Sequence, residues 1–175
     1  MAQSILRYIL LFFICVLSQV LIFNNIALFG VAIPIVFIYF LVRLPINIGL
    51  PYLFTFAFLL GLIVDIFSDT PGVNALSCTL LVAIRKPVFY AYMEKDDNTQ
   101  RLTPGVSTMG LIEYSKYLFS LTFIYCFLAF TIEYFTFADV KSIVILTAAS
   151  AALTFVILLS IDCLIPVKFP AINNK

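Results

Sequence analysis

One carboxylate stands where a carboxylate is expensive. Asp65 lies in the apolar run 51–67, four residues after Gly61 and just before the turn Ser68-Asp69-Thr70-Pro71-Gly72. Ionisable groups inside a lipid-spanning segment are rare, and they mark a function or a specific packing contact. The i, i+4 spacing puts Gly61 and Asp65 on one helix face. A glycine there lets a neighbouring helix come close. Asp65 is either a helix-end carboxylate reaching water or a buried polar contact, made within the bundle or with a partner. Gly72 supplies a turn residue free to take positive φ, Pro71 stops the preceding helix, and Asn74 is placed to cap the next one.

Other candidate groups are weaker. Asp69, Glu133 and Asp139 fall near the same end of the molecule as Asp65. Carboxylates alone could hold a cation. However, the rule that keeps basic residues off the outer face leaves acids free, so they need no metal to explain them. Arg85 sits too far down its segment to pair with Asp65 and is expected to snorkel to the headgroups. Asp162, at the inner end of the last segment, is expected to reach water. Ala148 and Ala152 form a small-xxx-small pair that could serve internal packing or an oligomer seam. Cys15, Cys78, Cys126 and Cys163 are scattered and read as small apolar residues. The chain has no histidine, which removes the commonest general base and metal ligand. It also lacks a phosphate loop and a Gly-x-Ser-x-Gly elbow. No enzyme activity, cofactor or metal is expected.

The elements that must position these residues are membrane spans. Hydrophobic residues make up 63% of the chain and charged residues 11%, with mean hydropathy +1.14. A soluble domain needs a polar exterior that this composition cannot supply. The net charge of +1 gives no electrostatic case for nucleic acid. Residues 1–175 read as one transmembrane domain. Its six apolar segments run about 7–23, 26–42, 51–67, 73–93, 117–135 and 140–161, close to the roughly 20 residues that a span needs. Pro34 should kink the second segment, because it removes a backbone donor. The fourth contains Arg85-Lys86-Pro87. It is either one long helix kinked at Pro87 or a shorter span with an interfacial extension. A polar loop, about 94–116, is the one sizeable soluble stretch. With six spans and a cytoplasmic N-terminus, nine basic residues lie inside and only Lys141 lies outside.

The order Gly61-x-x-x-Asp65 followed by Gly72-Val73-x-Ala75-Leu76, with Pro34 in the second span, resembles the bacterial rod shape-determining protein family MreD. The resemblance is clearest over 27–86. It implies an all-α polytopic bundle of six transmembrane helices, similar in fold to the substrate-binding subunits of energy-coupling-factor transporters. It also implies a non-enzymatic scaffold in the bacterial inner membrane, with both termini cytoplasmic. The implied partners are MreC and, through it, MreB, RodA and a penicillin-binding transpeptidase, in the lipid bilayer and with room for a homo-oligomer. Gly61, Asp65, Gly72 and Pro34 are the implied partner-binding or fold-critical positions. The alternative is a substrate-binding subunit of a vitamin or small-molecule transporter. Such subunits usually dock their partner through Ala-x-x-x-Ala in the first span, and the stretch 7–23 contains no alanine.

Overall fold

The computed structural model describes residues 2–25, 33–93, 103–134 and 140–164. Among these the chain is all-helical, with α1 (Ala2–Leu21), α2 (Ile38–Arg43), α3 (Leu50–Ser68), α4 (Val73–Tyr92), α5 (Val106–Met109), α6 (Leu111–Glu133) and α7 (Val140–Leu164). A 3-10 turn, Phe23–Asn25, follows α1. Among the described residues three helices are long and apolar enough to cross a membrane: α3, α6 and the stretch Ile143–Leu164 of α7. Their outward faces are greasy, with Ile66 69% and Ile145 60% exposed. Such a surface suits lipid as the solvent.

The helices pack as two pairs, α3 with α4 and α6 with α7, joined where α4 meets α6. α1 lies against α2 and α3. Tyr114, Tyr117, Leu121 and Tyr125 of α6 turn one fully buried face toward this junction. The inward face of α7 carries Thr147, Ser150, Ala151, Thr154 and Leu158. Ala148 and Ala152 face outward, so this small-residue pair does not serve internal packing.

The short α2 is the centre of the bundle: Ile38, Leu41 and Val42 are fully buried. Here the structure departs from the expected kinked helix over 26–42. Residues 26–32 lie outside the described residues; over 33–43, helix begins only at Ile38. The residue before a proline is steered to extended backbone, and Pro34 has no N–H to give a helix. Residues 33–36 accordingly form no helix; Ile33 is exposed and 34–36 are buried, and their donors need partners from outside any helix of their own. Side chains supply them. Ser150 Oγ accepts from the Ile33 N–H at 3.1 Å, and Thr154 Oγ1 accepts from the Ile35 N–H at 3.0 Å. Gln19 Oε1 accepts from the N–H groups of Val36 and Phe37 at 2.8 and 3.4 Å. Gln19 Nε2 donates to the Pro34 carbonyl at 3.2 Å. One buried amide of α1 thus serves three backbone groups of the broken segment.

Other boundaries also shift. α4 keeps the expected segment, as one helix running through Pro87 to Tyr92, but α6 begins at Leu111, inside the expected polar loop. The Leu111 start follows Gly110, whose φ of +83° breaks the chain between α5 and α6. Residues 94–102 of that loop, with the acidic run at 96–97, lie outside the described residues, as do Phe135 and Asp139.

The role of Gln19 is open to a direct test. Gln19→Leu keeps the volume but strips partners from two buried N–H groups and a carbonyl. We expect a loss of about 2–4 kcal/mol in denaturant titration of the detergent-solubilised protein. A change below about 0.5 kcal/mol would show that the non-helical segment does not depend on this amide.

Candidate functional site

The α3–α4 hairpin is built around Asp65. α3 ends at Ser68, and Asp69 takes the left-handed conformation (φ 56°, ψ 37°) with its N–H returning to the Asp65 carbonyl. Short polar side chains tolerate that conformation. Gly72, at φ +81°, then swings the chain into α4. The first turn of any helix leaves backbone N–H groups without partners. Here Gly72 stands at the N-cap and brings no side chain, so the cap comes from the preceding helix. Asp65 Oδ1 accepts from the Asn74 N–H at 2.9 Å and Oδ2 from the Ala75 N–H at 2.8 Å. Oδ1 also takes the Thr70 hydroxyl at 2.5 Å and the Asn74 amide at 3.0 Å. The carboxylate is 3% exposed. Its charge is met by four donors and by the positive end of the α4 dipole.

Gly61 makes that reach possible. A Cβ added there would lie 2.5 Å from both Ala75 Cα and the Asn74 carbonyl oxygen. These are backbone atoms and cannot rotate away. The glycine therefore sets the α3–α4 separation at the level where Asp65 bridges it. Gly61, Asp65 and Gly72 thus form one unit. Pro34 stands apart and connects through a relay: Gln19, bonded to the Pro34 carbonyl, also donates to Asn24 Oδ1 at 3.1 Å, and Asn24 donates to Ser68 Oγ at 2.8 Å.

Asn74 does not cap α4 with its side chain as expected; it occupies the second helical position and extends the network. Its Oδ1 accepts from the Tyr125 hydroxyl at 2.5 Å, which ties α6 to the hairpin. Four elements thereby meet around a cavity of about 330 Å³ lined in part by Gln19, Phe37, Asn74, Phe130 and Glu133. Since both Asp65 oxygens are occupied by donors, the carboxylate is poorly placed to act as a general base. Among the described residues, which do not include Asp139, no group of three or more Asp, Glu, His or Cys could hold a metal.

A second polar centre lies at the opposite end of the bundle, and it corrects two expectations. Asp162 does not reach water; it is 4% exposed. It forms an ion pair with Arg43 at 3.3 Å and accepts from the Tyr39 hydroxyl at 2.6 Å and the Val106 N–H at 2.9 Å. Arg43 also donates to the Pro104 carbonyl at 2.8 Å. A Cβ on Gly105 would meet the Arg43 guanidinium at 1.9 Å, so the loop before α5 passes directly over the pair. Arg85 does not snorkel to headgroups; it is fully buried. Its Nε donates to the Tyr117 hydroxyl at 3.3 Å and its Nη2 to the Leu44 carbonyl, while Nη1 has no hydrogen-bond partner among the described residues. As expected, it does not pair with Asp65.

Gln19, Tyr125, Arg43 and Asp162 escaped the sequence reading as site residues. A glutamine and an aspartate facing inward from otherwise apolar helices were the available signals. No family model, curated protein or solved structure matches the chain.

The two centres should respond differently to substitution. Asp65→Ala leaves two buried N–H groups without partners, and we expect it to cost about 3 kcal/mol; Tyr125→Phe should cost about 1 kcal/mol. Gly61→Ala forces backbone apart and should cost about 1–3 kcal/mol or more. Asp162→Asn leaves Arg43 buried without its counter-charge, at about 3–5 kcal/mol. Reversible unfolding in mixed micelles measures all four, and a neutral Gly61→Ala would refute the close helix approach.

Proposed function

We propose that this chain is a non-enzymatic, multi-pass scaffold of the bacterial cell-elongation machinery, an MreD-like protein of the inner membrane. One observation supports this reading above others. The residues that carry the resemblance, Gly61, Asp65, Gly72 and Ala75, are parts of a single device in which a carboxylate on one helix caps the next. A motif scattered by chance through apolar sequence has no reason to converge in this way. The interior supports it too: the Asp65 and Gln19 polar groups are engaged in holding helices together rather than arrayed around a reacting centre.

In this reading α1 and α4 cross the membrane with α3, α6 and α7. The broken segment ending in α2 completes six crossings. The termini and the Arg43–Asp162 end face the cytoplasm, by the bias of basic residues. The Asp65 end then faces the periplasm, where MreC would meet it. The protein links MreC to RodA and its penicillin-binding transpeptidase, and through them MreB filaments to wall synthesis.

In-cell crosslinking of the tagged protein, with mass spectrometry of the captured membrane proteins, tests the proposal. We expect MreC together with RodA or its transpeptidase. Capture of an ATP-hydrolysing transport module without wall-synthesis proteins would instead establish the transporter-subunit alternative. In cells, Asp65→Ala should widen the rods or lower the protein's abundance; normal width at normal abundance would remove Asp65 from the functional argument.

A further inference from the structure

Between α1 and α3 the bundle leaves a groove of about 440 Å³, floored by α2 and the chain that follows it. Phe12, Phe13, Leu59 and Ile63 are among its walls, and Tyr8 and Leu44 are also among its lining residues. Every other lining side chain is apolar. The groove opens outward, since Phe13 is 57% and Leu59 44% exposed. A transmembrane helix, about 10 Å across, would fill this volume in little more than one turn. The space therefore suits a slender, unbranched chain.

Charge at one end narrows the occupant. The carbonyl of Leu44 accepts from Arg85, and Arg43 is the residue immediately before Leu44. These two guanidiniums are buried with a single carboxylate, Asp162, leaving one positive charge in excess among the described residues at that end. Among the described residues Arg85 keeps one nitrogen without a hydrogen-bond partner. A buried charge is weakly screened, so its field extends to the groove end a peptide away. Arg7, next to Tyr8 and exposed, adds a second attraction at the mouth.

We propose that the groove binds one anionic phospholipid, with an acyl chain along α1 and α3 and the phosphate at the Tyr8–Leu44 end. The site does not depend on the scaffold reading: the apolar walls and the arginines beside them are present whatever the protein's partners.

Native mass spectrometry of the detergent-purified full chain tests this, after exchange against equimolar palmitoyl-oleoyl phosphatidylglycerol and phosphatidylcholine. We expect one retained phosphatidylglycerol per chain, favoured over phosphatidylcholine by about fivefold for each basic residue that contributes. Leu59→Trp, which fills the groove, should abolish retention of both lipids. Arg85→Gln should lower the preference about fivefold. Because Arg85→Gln can disturb folding, Arg7→Gln on the exposed face provides the second reading and should lower the preference in the same direction. Equal retention of the two lipids would overturn the proposal, as would adducts undiminished by Leu59→Trp. So would a polypeptide crosslinked in cells at position 59 with no lipid retained.

Discussion

Backbone polar groups in this protein must find partners without water. An α-helix meets that demand internally along its length and fails at its ends and breaks. The architecture can be read as a set of answers to those failures. Asp65 answers for the start of α4, reaching across from α3 because Gly72 brings no side chain to the N-cap. Gln19, Ser150 and Thr154 answer for the non-helical stretch before α2. Each solution joins one element to another, neighbouring for Asp65 and distant for Ser150 and Thr154, so satisfying the backbone and assembling the bundle are the same event. Removing one partner both exposes a buried dipole and loosens a helix contact.

Charge is handled by a different rule at each end. At the Asp65 end, the Asp65 carboxylate is balanced by oriented dipoles, and among the described residues no ion pair reaches it. Four short hydrogen bonds and a helix terminus replace its hydration shell. At the other end, Arg43 and Asp162 pair directly, and the loop before α5 closes over them. The first arrangement fixes a turn between neighbouring helices. The second fixes α2 to α7, more than a hundred residues along the chain, and holds the loop before α5 against both. Buried ion pairs contribute little net stability but strongly penalise any arrangement that separates them. They therefore select one packing of helices whose apolar surfaces alone would accept several.

Much of this was legible in the sequence, and the reasons for success and failure are physical. The apolar runs gave α1, α3, α6 and α7 their positions, because length and hydropathy leave few choices. The Ser68–Gly72 turn followed from residue chemistry. The grouping of Gly61, Asp65 and Gly72 was visible from spacing, but not the direction of the cap, since nothing local says which helix Asp65 serves. Pro34 announced a disturbance without its size. Whether a proline bends a helix or ends it depends on who receives the freed N–H groups, and Gln19, Ser150 and Thr154 are distant in the chain. Arg85 and Asp162 were misplaced for the same reason. Near a helix end, depth alone suggests snorkelling, and only the arrival of Leu44, Tyr117 and Arg43 makes burial tolerable.

Such an interior constrains what the molecule can do. Side chains already saturated by intramolecular donors have little left for proton transfer or metal binding, so chemistry at Asp65 would first require the hairpin to open. The same saturation makes the hairpin a rigid element, with its turn at one end of the bundle presenting Asp69 and Pro71 outward. In the proposed scaffold reading, this outward-facing turn is a surface that a partner would meet. The groove between α1 and α3 has the opposite character: it is unsaturated and apolar, and it is open on the side where lipid lies. The two ends thus meet their surroundings by different physics: the first by a fixed polar turn, the second by an apolar surface around which a bilayer can seal.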